Sequence, residues 1–153
     1  MRVHETRIMR TGLRILGNRA DAEDVAQETF LRLHRRGTQF ETEAALAAWL
    51  YRVAVNLCLD RTRARKPSAE LRDLKSTTIS VESAAIQQQA RDILLAALEE
   101  LPARERAAVV LREIEGLETR EVAEILGVAE ATVRSQISKA VSKLRARLSR
   151  EEV

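Results

Sequence analysis

Apolar residues recur along most of this chain at the three-to-four spacing that gives a helix one buried stripe. Ile8, Leu13, Ile15 and Leu16 predict a first helix, stopped by Gly17-Asn18. A second is expected over Asp21–Arg36, with acids in its first turn, arginines in its last, and Gly37 to close it. A loop around Thr38–Thr42 leads to a longer helix, about Glu43 to Arg65, ending before Pro67. From Pro67 to Val81 the pattern fails: Ser, Thr and charges replace the stripe, and no strand alternation takes over. Helix resumes near Glu82 and runs to Leu101. Pro102 suits a first helical turn, and the next helix reaches Glu115, where Gly116 breaks it. Thr119–Leu126, a turn at Gly127-Val128-Ala129 and a last helix from Glu130 to Ser149 complete the prediction.

The expected fold is all-α: two small helical modules, residues 1–66 and 91–153, joined by a flexible linker over 67–90. Composition agrees, since 45% of residues are hydrophobic but only 3% aromatic, and five Gly and two Pro interrupt the chain. Such a core is built from Leu, Ile, Val and Ala, which favours helices over sheets. A linker from Pro67 to Val81, at ~3.3 Å per extended residue, spans roughly 50 Å. That would place two modules more than one DNA turn (~34 Å) apart.

The net charge of +3 is mild, but its distribution is not. Arg134, Lys139, Lys143, Arg145, Arg147 and Arg150 fall in a stretch, Ala131 to Arg150, with no Asp or Glu, while the preceding Glu99–Glu130 is rich in carboxylates. Two segments of opposite sign suggest two faces with different partners. Cys58 is the only cysteine, which rules out an intrachain disulfide and any site of several cysteines. No apolar run approaches the ~20 residues of a membrane span, and the first residues lack the apolar core of a signal peptide. A cytoplasmic location without membrane insertion is the expectation. With two His, one Cys and no Gly-rich phosphate loop, no catalytic constellation, metal site or cofactor is expected, nor any small-molecule substrate.

Thr119–Arg145 carries the strongest signal. A short helix, a tight turn opening on Gly and a longer helix form a helix-turn-helix. Val122, Ala123 and Leu126 face inward, Gly127 can take the positive φ of the turn, and Thr119 is expected to cap the first helix. On the last helix Val133, Ile137, Ala140, Val141, Leu144 and Leu148 form one stripe. Ser135, Ser138, Lys139 and Ser142 point away from it, with Arg134 and Arg145 on the flanks. Short hydroxyls permit close approach to a major groove, and Arg and Lys reach base edges or phosphates.

Leu101 to Leu148 resembles the fourth conserved region of the extracytoplasmic-function sigma factors, which direct bacterial RNA polymerase to promoters. Asp21–Arg36 followed by Ala48–Lys66 is similar to the family's second conserved region. The resemblance implies a non-enzymatic promoter-recognition subunit. Its partners would be promoter DNA, the β′ coiled coil of core RNA polymerase and an anti-sigma factor. It implies that the Asp21–Arg36 helix docks on polymerase. There Val25, Ala26, Thr29 and Leu33 form a buried face, while Asp24, Gln27, Glu28, Leu31 and Arg35 share another, with Leu31 as its exposed apolar residue ringed by polar groups. The loop near Phe40 and the helix bearing Asn56 resemble the part that captures an unstacked base of the −10 element. Arg61, Arg63, Arg65 and Lys66 would form a basic end for phosphates. Trp49, at helical spacing with Leu46, Leu50 and Val53, reads as core. By the same resemblance Arg134, Ser135, Ser138 and Lys139 would read the −35 element.

Three departures stand out. The family pattern extends further upstream of His4, which predicts an earlier start or a trimmed first module. Glu41 and Glu43 flank the DNA-reading loop, unfavourably for phosphates, and Gln136 and Val141 stand where arginines are frequent. The competing reading is a free helix-turn-helix regulator that binds DNA as a dimer, which leaves Asp21–Lys66 unexplained. A decoy that binds polymerase without promoter contacts is a further alternative.

Overall fold

Helices form where the stripe is continuous and stop where glycine, proline or polar residues interrupt it. The computed structural model describes residues 2–37, 39–64 and 82–151. The described residues form α1 (Arg2–Leu16), α2 (Arg19–Arg36), α3 (Glu43–Ala64), α4 (Glu82–Glu99), α5 (Ala103–Val109), α6 (Thr119–Leu126) and α7 (Glu130–Glu151). The family of elements is all-α, as the periodicity predicts. Residues 82–90, assigned above to the linker, are the first part of α4; Pro67–Val81, Arg65 and Lys66 lie outside the described residues.

Helices α1, α2 and α3 make the first module. Ile8, Ile15, Val25, Leu33, Leu50, Val55 and Cys58 are buried between them. Gly12 lets α1 and α2 approach closely, since a Cβ there would already touch Ala22 at 3.4 Å. Asn18 caps α2 by accepting from the Asp21 N–H at 3.0 Å, the role its residue type favours. Cys58 is a core residue whose thiol pKa is pushed up to about 12 by burial.

In the second module α5 does not run as regular helix to Glu115. From Val110 to Ile114 it widens into a π-helical turn, with the Glu115 N–H donating to Val110 O at 2.9 Å. The cap of α6 also lies one residue before the expected Thr119: Glu118 is the capping residue, its N–H donating to Glu121 Oε1 at 3.1 Å. Gly127 takes φ 68° and ψ 37°, the left-handed turn the sequence requires. Nothing lies within 4 Å of where its Cβ would sit, so Gly127→Ala meets only backbone strain. The expected cost is about 1 kcal/mol, read as a lower urea midpoint.

The two modules do not sit apart. One hydrophobic cluster runs through both, joining Ile15, Leu16 and Tyr51 to Leu98, Leu101, Leu111 and Ile125. Helix α3 packs on α6, and α1 packs on α4 and the π-helical turn. Glu115 closes the seam. Its Oε1 accepts from Thr11 Oγ1 at 2.7 Å and from Tyr51 OH at 3.1 Å, and Arg14 Nη1 lies 3.5 Å from Oε2. Burial, with the neighbouring Glu115 charge, raises the Tyr51 pKa to about 12, so its phenol keeps the proton it donates. Arg106 crosses the same seam, donating to Ile15 O on α1 while it also holds Leu98, Glu99 and Leu101 carbonyls. The tether would let the modules stand more than one DNA turn apart; in this structure they are packed together. Each module's stripe buries against its own helices, and the same apolar residues continue across the boundary.

Candidate nucleic-acid interface

The last helix sorts its residues by face. Val133 and Ala140 are fully buried, and Ile137, Val141, Leu144 and Leu148 are half-buried beside them. Arg134, Ser135, Ser138 and Lys139 are all exposed, one turn-and-a-half of helix presented to solvent. Two other cations of the basic stretch are engaged within the module. Lys143 Nζ pairs with Glu105 Oε1 at 2.9 Å, and Arg147 Nε with Glu100 at 3.0 Å. The exposed Arg134, Ser135, Ser138 and Lys139 therefore lie in the first half of α7, shortly after the turn at Gly127 and the exposed Glu130, with Arg145 exposed further along. A helix entering a groove by its N-terminal half presents its positive dipole end to phosphates as well. Gln136 is half-buried, with an Oε1 that has no hydrogen-bond partner, so it does not stand with the exposed set.

The first module offers a second set. Phe40 and Trp49 contact with ring centroids 5.9 Å apart and planes inclined at 54°. The Arg36 guanidinium lies 4.3 Å over the Phe40 ring and 5.5 Å from that of Trp49. Trp49, read from the sequence as core, is half-buried at the edge of this stack. Along α3, Trp49, Arg52, Asn56 and Arg63 share one face at helical spacing, and Arg52, Asn56 and Arg63 are exposed, with the exposed Asp60 among them. Arg36 and Arg52 were missed by sequence reasoning. The spacing of Arg52 from Trp49 and Asn56 was a usable signal; the place of Arg36 over Phe40 depends on how the loop returns and leaves no trace in the pattern.

Arg61 departs from the expected basic end. It is half-buried and pairs with Asp21 at 3.3 Å and Asp24 at 3.6 Å, tying α3 to α2. Glu43, expected only as an unfavourable charge, holds His4 Nε2 at 2.8 Å and so fixes the start of α3 against α1.

On α2 the outward face is as predicted by spacing: Asp24, Gln27, Leu31 and Arg35 are exposed and Glu28 half-buried, while Val25, Thr29 and Leu33 are buried. Leu31 is 45% exposed, one of three large apolar residues to be so among those described. It sits at the lip of a groove of about 650 Å³ between α1 and α2, with Met9, Ala26, Phe30 and Gln27. Met9 comes from another helix and could not be read from the α2 pattern. Among the described residues no cluster of His, Cys, Asp and Glu is able to hold a metal, and no helix is long and apolar enough to cross a membrane.

Comparison with known proteins covers both modules. Residues 1–67 match the family model for Sigma-70 region 2, and residues 91–144 that for Sigma-70, region 4. The ECF RNA polymerase sigma factor SigM of Mycobacterium tuberculosis is 41% identical over 135 residues, which cover 85% of this chain and 63% of SigM. The chain thus spans less than two thirds of the length of that relative. SigW of Bacillus subtilis, another ECF RNA polymerase sigma factor, is 30% identical over 159 residues, covering 95% of this chain and 85% of SigW. Among solved structures, the sigma factor RpoE in complex with the anti-sigma factor NepR from Bartonella quintana shares the fold. Its TM-score is 0.73 at 22% identity, covering 96% of this chain and 92% of that one. CnrH in complex with the cytosolic domain of CnrY gives a TM-score of 0.68 at 26% identity, covering 96% and 84%.

Proposed function

The chain belongs to the extracytoplasmic-function (ECF) RNA polymerase sigma factors, and from that premise we propose that it directs RNA polymerase to two-part promoters and assists their opening. The observation that carries the reading is the presence, in one chain, of an apolar-centred docking face on α2 and an acid-free polar face on α7. A free DNA-binding regulator has no use for the first, and a polymerase-binding decoy none for the second.

The division of labour follows from the faces. Residues 1–66 form the polymerase- and −10-binding module and residues 91–153 the −35-binding module; 67–81 and the first part of α4 connect them. Asp24, Gln27, Glu28, Leu31 and Arg35 dock on a coiled coil of core polymerase, with Leu31 supplying the buried contact and the polar residues its rim. Arg134, Ser135, Ser138 and Lys139 enter the −35 major groove. Phe40 stacks on an unpaired −10 base and Asn56 reads an edge, while Arg63 meets phosphates with Arg65 and Lys66. Arg61, already shared with two aspartates, contributes mainly by holding α3 in place. The polymerase performs the chemistry in the cytoplasm, and an anti-sigma factor is the expected antagonist, as NepR is the partner of RpoE in the Bartonella complex.

The test is run-off transcription by core polymerase from promoters selected out of a random library, with and without this chain. Initiation from a shared bipartite motif supports the reading; absence of both initiation and core binding returns the case to a free helix-turn-helix regulator. Arg134→Ala is expected to weaken binding to the selected −35 duplex about 10–100-fold and to relax preference at one base position, measured by fluorescence anisotropy.

A further inference from the structure

One face of α1 gathers cations without counterions. Val3, Thr6, Arg7, Arg10 and Arg14 share it at three- and four-residue spacing. Like charges at these steps destabilise a helix, and no acid stands three or four residues from Arg7 or Arg10 to offset them. Other arginines of the chain are treated differently. Arg19 pairs with Glu23 at 3.2 Å and Arg32 with Glu28 at 3.1 Å, each four residues away, and Arg14 is drawn to Glu115. Among the described residues Arg2, Arg7 and Arg10 have no ion-pair partner. These three line a pocket of about 560 Å³ whose other wall is Tyr51 of α3 with Ile114 and Glu115 at the end of the π-helical turn. Burial raises the Tyr51 pKa while the Arg7 and Arg10 charges act against that rise, so both guanidinium groups bear on the wall opposite them.

We propose that this pocket binds a small ligand carrying two or more phosphate groups, held by Arg2, Arg7 and Arg10. Three properties carry it. First, the planar fork of a guanidinium matches phosphate oxygens two at a time, and three such forks border one cavity. Second, the cavity lies within the range of about 300–1,000 Å³ that small-molecule sites occupy, and an anion in it would offset the repulsion that Arg7, Arg10 and Arg14 exert on one another. Third, the acids nearby do not fill the site. Glu115 already accepts from Thr11 and Tyr51 and faces Arg14, so its charge is met within the protein. Glu5, the acid of α1, lines the groove on the other side of that helix, with Arg10 between the two cavities. The Glu115 wall also selects the kind of ligand. A continuous strand of phosphates would have to run past that carboxylate, whereas a compact polyphosphate stays on the arginine side. None of the three arginines belongs to the surfaces assigned to DNA or to polymerase, so the site stands independently of the proposed function.

The probe is inorganic tripolyphosphate, titrated by calorimetry into the full chain at about 0.15 M ionic strength, where distant surface charges are screened. The wild type is expected to bind one equivalent and to gain in thermal midpoint as the probe is added. Arg7→Gln with Arg10→Gln should weaken binding about tenfold or more, since two charge-assisted contacts are lost. Glutamine suits exposed helix positions, so the helical circular dichroism should be retained. Arg7→Lys with Arg10→Lys keeps the charge without the forks and should fall between the two; if the glutamine variant fails to fold, the lysine variant decides. Arg19→Gln with Arg104→Gln removes the same charge at exposed positions outside the pocket and should bind as the wild type does. Absence of saturable binding by the wild type overturns the site. Equal weakening in the Arg19/Arg104 variant reduces the effect to net charge and overturns it as well. A random-sequence duplex separates the two sources of phosphate. Its affinity should be the same for the wild type and the Arg7/Arg10 variant, and a fall parallel to that of tripolyphosphate would give these arginines to a nucleic-acid backbone and overturn the small ligand.

Discussion

Arg106→Ala is expected to lower the stability of the chain by roughly 3–5 kcal/mol, a third or more of what a small protein has. Arg106 is 8% exposed, and its guanidinium donates to four backbone carbonyls. Nε bonds Leu98 O at 2.7 Å, Nη2 bonds Glu99 O at 3.0 Å and Leu101 O at 2.8 Å, and Nη1 bonds Ile15 O. Three of these carbonyls belong to the end of α4 and the turn after it, and the fourth to the last turn of α1, where helices leave acceptors unpaired and the dipole is negative. One planar cation thus ends two helices at once and joins them across the seam. Alanine would remove these donors from a site that admits little water, where a carbonyl left unpaired costs more than the bond itself contributes; Leu98 O keeps a second donor, the Leu101 N–H at 3.1 Å. Lysine retains the charge but has a single nitrogen and no fork, so Arg106→Lys should recover only part of the loss. The check is urea unfolding followed by circular dichroism, with the midpoint falling by about 2 M for alanine at an ordinary slope. A shift below about 0.5 M would mean that the carbonyls find other partners and that Arg106 is not the clamp.

Nothing local distinguishes Arg106 in the sequence. Arg104 stands two residues earlier with the same side chain and is exposed. What separates them is the end of α1, some ninety residues upstream, and a tertiary relation of that length leaves no periodicity. Glu115 is the same case: it reads as the end of a helix, and its role comes from Thr11 and Tyr51 in the other module. The π-helical turn that presents it was equally invisible, since Val110–Ile114 carries an ordinary helical stripe. By contrast, the elements that rest on local spacing were legible. The α7 stripe, the exposed Arg134–Lys139 set, the two faces of α2 and the positive φ at Gly127 follow from a period of 3.6 and from the conformational freedom of one residue. Trp49 lies between these cases. Its spacing marked it as core, and half of it is, but the returning loop brings Phe40 and Arg36 onto its open edge.

Leu31→Asp is expected to weaken binding of core RNA polymerase by about 100-fold or more while leaving the fold and the −35 interaction intact. Leu31 is 45% exposed, so the free chain loses little by the change, within the ~0.5 kcal/mol usual for surface positions. In the docked state the same side chain would be desolvated. An aspartate there must desolvate a carboxylate beside Asp24 and Glu28 on the same face and Glu23 in the groove, with Arg35 the one cation of that face to offset three acids. Loss of an apolar anchor and burial of an unpaired charge each reach about 2 kcal/mol or more at the centre of an interface. At 1.4 kcal/mol per tenfold, about 3 kcal/mol already gives the stated loss. Leu31→Ala separates the two contributions, because it removes the anchor without adding charge, and should fall between the wild type and the aspartate variant. Phe30→Ala is the less informative change: Phe30 packs against the core of the module as well as lining the groove, so its loss confounds docking with stability. The measurement is a titration of fluorescently labelled chain with core polymerase, paired with thermal unfolding of the same variants. Affinity within threefold of wild type for Leu31→Asp would place the polymerase contact on a face other than that of α2. Retention of the −35 duplex affinity by the same variant is what ties its loss of transcription to docking rather than to DNA.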